Sequence, residues 1–114
     1  MLKSLKFSEL GKGGLIPQAI IRKPISYFAK QGFDLVHDND ALDVFEGSAF
    51  LLDGSLRFAL MHHRGEPDNE TTVYLTRDFG DDMSKITSSI RRILIALELP
   101  SRSLVWERQN DPDL

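Results

Sequence analysis

Residues 44–63 read Val-Phe-Glu-Gly-Ser-Ala-Phe-Leu-Leu-Asp-Gly-Ser-Leu-Arg-Phe-Ala-Leu-Met-His-His, two apolar-rich runs separated at Asp53-Gly54. Asp-Gly is a preferred centre for a two-residue hairpin turn, because both central positions need positive φ. The segment therefore predicts a β-hairpin with strands near 44–52 and 55–63. Such a turn pairs Leu52 with Ser55, Leu51 with Leu56 and Ala49 with Phe58. One face then carries Phe45, Ala49, Leu51, Leu56, Phe58, Leu60 and His62. The other carries Glu46, Ser48, Phe50, Leu52, Arg57, Ala59, Met61 and His63. The first set is the more apolar, and this reading assigns it to the core, since a strand sends alternate side chains to opposite faces.

Downstream, residues 64–70 form a polar loop, and the β-branched and aromatic run 71–76 reads as the next antiparallel strand. Gly80-Asp81-Asp82 offers a helix cap. Met83, Ile86, Ile90, Ile93, Leu94 and Leu97 then recur at helical spacing, and Pro100 stops the helix. Each fully buried Ile or Leu on that stripe is worth roughly 1.5–3 kcal/mol. Intrinsic propensity contributes far less in a short helix, so this one requires a sheet to pack on. Leu104-Val105-Trp106 reads as a closing strand or docking segment, followed by a polar tail at 110–114.

Upstream, Gly11-Lys12-Gly13-Gly14 lacks the spacing of a phosphate loop and reads as a linker. Residues 1–14 are expected to form a flexible arm, with 2–7 alternating weakly enough to add an edge strand. Ile20, Ile21, Ile25, Phe28 and Ala29 suggest helical character broken by Pro24: a turn at 17–22, then a helix starting near Pro24 and ended by Gly32. Residues 33–37 read as a strand and 38–40 as a turn. The order helix, strand meander, helix predicts one α+β domain, an antiparallel sheet of about four to five strands with two helices packed on one face.

The chain has 114 residues, no cysteine, and a formal net charge of −3. Without cysteine there are no disulfides, thiolate metal sites or thiol nucleophiles. No apolar run reaches the roughly 20 residues that span a bilayer, so the expectation is a cytoplasmic protein with no membrane partner. Residues 1–30 carry six lysines and arginines against Glu9 alone, whereas 31–56 carry six acids and no lysine or arginine. That asymmetry fits either two solvated surfaces of opposite sign or an acidic patch that meets a basic partner.

Two groups of side chains are candidates for function. Arg57, His62, His63, Arg64 and Tyr74 could gather at one end of the sheet and bind a carboxylate or phosphate through guanidinium forks, with some catalytic capacity. Against this, Arg57 could simply pair with Glu46 across the hairpin. Phe50, Leu52, Ala59 and Met61 make the hairpin's outer face apolar for a wet surface, which with Trp106 suggests an interface. Metal spacing, the G-x-S-x-G elbow and calcium-loop patterns are missing, so no metal, cofactor or catalytic residue is assigned. A sequence pI near 5.5 argues against nucleic acid. The expectation is a non-enzymatic binding or regulatory module that forms a homodimer or binds another protein, with an anion-binding domain as the alternative.

Overall fold

The computed structural model of this chain describes residues 1–11, 14–39, 44–77 and 82–108. Among the described residues, seven strands form one antiparallel sheet: β1 (Leu2–Leu5), β2 (Leu15–Ile21), β3 (Val36–Asn39), β4 (Val44–Leu52), β5 (Leu56–His63), β6 (Thr71–Thr76) and β7 (Leu104–Glu107). Two helices, α1 (Ile25–Lys30) and α2 (Met83–Ala96), complete the α+β fold. The strand order is β1-β4-β5-β6-β2-β7, and β3 also pairs with β4.

The hairpin forms at the expected place with a different register. Asp53 and Gly54 both take positive φ, 52° and 75°. Ser55 belongs to the bend as well, its N–H donating to the Leu52 carbonyl at 3.2 Å, and Leu52 pairs with Leu56 rather than Ser55. A slip of one residue reverses the side on which one strand's side chains lie relative to the other's. Phe50 thus stands opposite Phe58, their ring centroids 5.1 Å apart, and Ala49 stands opposite Ala59.

The main core corrects the expected face assignment accordingly. Phe50, Leu52, Leu56, Phe58 and Leu60 point to the helices, where they meet Val73 and Leu75 of β6 and Ala19 and Ile21 of β2. Ile25 and Phe28 of α1 join the same cluster, as do Ile86, Ile90, Ile93 and Leu94 of α2. Phe50 and Leu52, read from sequence as outer-face interface residues, are 1% and 3% exposed. Both are inaccessible to a partner. Met61 is on the other face but is also buried, at 3%.

The strand count exceeds the expected four to five because residues 15–21 form a strand and the segments offered as optional strands, at 2–7 and 104–106, both pair into the sheet. Residues 17–22 are not a helical turn: β2 runs through Pro17, with a register shift between Pro17 and Ala19. The bulge tolerates a residue that cannot donate to the ladder, and the flanking isoleucines suit a pleated strand. The arm expected at the N-terminus contributes β1, which pairs with β4 from Leu2↔Leu52 to Leu5↔Ala49, and a 3-10 turn at Phe7–Leu10 whose Leu10 is buried. β3 occupies the other half of the same β4 edge, from Val36↔Gly47 to Asn39↔Val44. At the junction Ser48 donates its hydroxyl to the Asp34 carbonyl. The turn expected at 38–40 falls partly within β3; residues 40–43, Gly80-Asp81 and the tail at 110–114 lie outside the described residues.

Helix ends follow their local chemistry. Pro24 caps α1, and Gly32 beyond its end takes φ 94°. Asp82 caps α2 by accepting the Lys85 N–H at 3.2 Å and the Ser84 hydroxyl at 2.9 Å. Those two bonds, the backbone one first, hold its carboxyl below the ordinary range. Asp53 is lowered too, by the N-terminal amine first and then by Arg92, 3.3 Å away. Past α2, Glu98 adopts φ 59° and the Leu99 N–H returns to the Leu94 carbonyl at 2.9 Å, closing the helix with the left-handed geometry usually given to glycine. No described helix is long and apolar enough to cross a membrane.

Candidate functional site

With the helices on one face, the sheet's second face holds a smaller cluster: Leu10, Phe45, Ala49, Ala59, Met61 and Tyr74. The turn at Phe7–Leu10 covers part of it, and the Phe7 ring lies 5.2 Å from that of Phe45. Toward β7 this face opens into a groove of about 420 Å³ lined by Pro17, Ile20, Thr72, Tyr74, Val105 and Trp106. Alternation along β6 aims Thr72 and Tyr74 to this side, and Ile20 stands opposite Trp106 in the β2–β7 register. Val105 is the extra residue where that register shifts, since Ile21 pairs with Leu104.

Glu66 and Glu70 stand at the groove's rim and are its charged lining residues. Their loop is tied down from β5. The His63 N–H donates to Glu66 Oε1 at 2.7 Å. His62 Nε2 lies 3.2 Å from the Glu66 carbonyl and 3.1 Å from that of Pro67, so the ring fastens the loop as a donor. The Glu70 N–H reaches the Pro67 carbonyl at 3.1 Å. Two carboxylates are thus held on short, bonded backbone at the edge of an apolar, aromatic surface.

The five residues expected to gather around an anion do not form one group. Arg57 is exposed near the bend, opposite Leu51. His63 lies six positions further along the strand, roughly 20 Å away when extended. Its register partner is not Glu46, which instead stands opposite His62. His63 is buried between the rings of Phe45, at 5.7 Å, and Tyr74, at 6.1 Å, with Nδ1 3.8 Å from Glu66 Oε1. Arg64 lies in the exposed turn and bonds Val44 through its backbone N–H at 2.9 Å. Tyr74 alone of the five lines the groove.

The structure joins residues that the sequence placed in separate groups. Tyr74, read as a ligand contact, and Trp106, read as an interface anchor, share one concavity. Pro17, Ile20, Thr72, Glu66 and Glu70 were not singled out as a set. The signal that could have found them is the isoleucine-rich run at 15–21, once read as a strand beside 71–76. Comparisons with protein-family models, curated proteins and solved structures give no match to this chain. Chemically, the groove can desolvate an apolar side chain against indole and phenol rings while its rim holds a cation.

Proposed function

We propose that this chain is a protein-recognition module that takes an extended partner segment along β7. The segment places an apolar side chain in the groove and a lysine or arginine at Glu66 and Glu70. The observation that carries this reading is the position of the groove at a sheet edge: among the described residues no strand pairs with the far side of β7. An added strand gains main-chain hydrogen bonds from such an edge, and pockets for alternate side chains supply specificity. The acidic rim selects for a basic segment. β7 itself, Leu-Val-Trp-Glu, carries an acid and no base, which favours a different protein over a second copy.

Selection from a random-peptide display library tests this. The enriched peptides are expected to alternate apolar residues with lysine or arginine, and their binding should shift the emission of Trp106, the single tryptophan. Glu70→Lys should weaken them at least ten-fold. Peptides that bind without disturbing Trp106, or that ignore the Glu70 change, would refute the reading. So would light scattering that finds two chains joined through β7, because the edge would then belong to a second copy.

A further inference from the structure

A second concavity lies where the β2–α1 junction meets the connection from α2 to β7. It encloses about 420 Å³ and is lined by Arg22, Lys23, Tyr27, Glu98, Arg102 and Ser103. Its backbone is firmly tied. The Arg22 N–H donates to the Ser103 carbonyl at 2.7 Å, and the Thr71 hydroxyl donates to the Lys23 carbonyl at 2.8 Å. The Ser103 N–H in turn reaches the Pro100 carbonyl at 2.9 Å.

The charge of this pocket is uneven. Three cations line it against one acid, Glu98. On α2 the basic residues have acids close by: Arg91 and Glu107 at 3.0 Å, Arg92 and Asp53 at 3.3 Å, Lys85 and Asp82 at 4.0 Å. Around the pocket, neither Arg22 nor Arg102 has an acid within ion-pair reach among the described residues. Lys23 Nζ rests over the Tyr27 ring, 4.8 Å from its centroid, which leaves its positive charge uncancelled. Two guanidinium forks, an ammonium and the Ser103 hydroxyl form a donor set that suits a multiply charged oxyanion.

We propose that this pocket binds a small molecule through a phosphoryl or diphosphoryl group. Its volume lies within the usual range for small-ligand sites, roughly 300–1,000 Å³. Arg22 and Arg102 grip the phosphoryl oxygens, and Lys23, held over the Tyr27 ring, adds a third charge. The site is separate in residues from the β7 groove and does not depend on how that groove is used.

Titration of the full chain with inorganic pyrophosphate, followed by amide chemical shifts and calorimetry at low salt, tests the assignment. Saturable shifts confined to residues 22–27 and 98–103 are expected. Arg22→Ala with Arg102→Ala should lose at least ten-fold in affinity, and Glu98→Gln should gain, because it removes the pocket's acid. The second variant keeps the test decisive if the first fails to fold. Shifts spread over the other lysines and arginines, or no response to Glu98→Gln, would overturn the proposal. So would a short single-stranded oligonucleotide that saturates the same amides at far lower concentration than pyrophosphate, since the pocket would then be reading a nucleic-acid backbone.

Discussion

Gly47 lies in the middle of β4, where a methyl group has no room. A Cβ there would come 2.6 Å from the Leu60 carbonyl oxygen and 3.1 Å from Met61 Cγ. The first neighbour is backbone, so relief requires moving β5. Gly47→Ala is therefore expected to destabilise the chain by about 1–3 kcal/mol, the usual cost of overpacking. Urea unfolding should show a lower midpoint with an unchanged slope. The crowding comes from the partner strand, so the local sequence around 47 does not announce it. Asp53 and Gly54 are the opposite case: their left-handed backbone follows from residue type and was legible directly.

Helix α2 was the most legible element, and its packing follows the periodicity. Ile86, Ile90, Ile93 and Leu94 are buried, while Ile95, the next residue after Leu94, is 76% exposed. Met83, counted in the expected stripe, is exposed, because it opens the helix before the sheet closes over it. Asp82 makes this element sensitive to acid. Its carboxyl is lowered in the folded chain by the Lys85 N–H and then the Ser84 hydroxyl. A lowered carboxyl contributes stability above its unfolded value and loses it as pH falls through the folded one. Melting temperature should therefore fall as pH drops below about 4, the ordinary aspartate range. Asp82→Asn retains a capping oxygen but cannot titrate there, so that part of the acid dependence should flatten. A variant as acid-sensitive as the parent would show that the cap plays no part. β2 was the least legible element: Ile20 and Ile21 fit a strand or a buried helix turn equally, and their spacing to Ile25, Phe28 and Ala29 tipped the reading toward the wrong one.

The two faces of the sheet divide the molecule's work. One is sealed by both helices; the other is only partly covered by the N-terminal turn, with a concavity of about 500 Å³ beside Phe7, Phe45 and Ala49 and the groove at β7. Phe50 belongs to the sealed side, packed against Phe58 and 4.9 Å from the Phe33 ring. Phe50→Asp is accordingly expected to unfold the chain rather than dissociate an assembly. Burying an unpaired carboxylate costs several kcal/mol, a large part of the 5–15 kcal/mol that holds a domain together. Circular dichroism should show loss of the cooperative transition; a folded, soluble variant would contradict the placement of β4. By itself the sequence determined the α+β class, the bend at Asp53-Gly54, the amphipathic stripe of α2 and its capping acid, because each depends on neighbours a few positions apart. Only the tertiary structure decided the hairpin register, the pairing of β2 between β6 and β7, and the meeting of Tyr74 with Trp106. Those depend on contacts between distant segments, and a slip of one residue inverts a strand's faces without changing its local pattern.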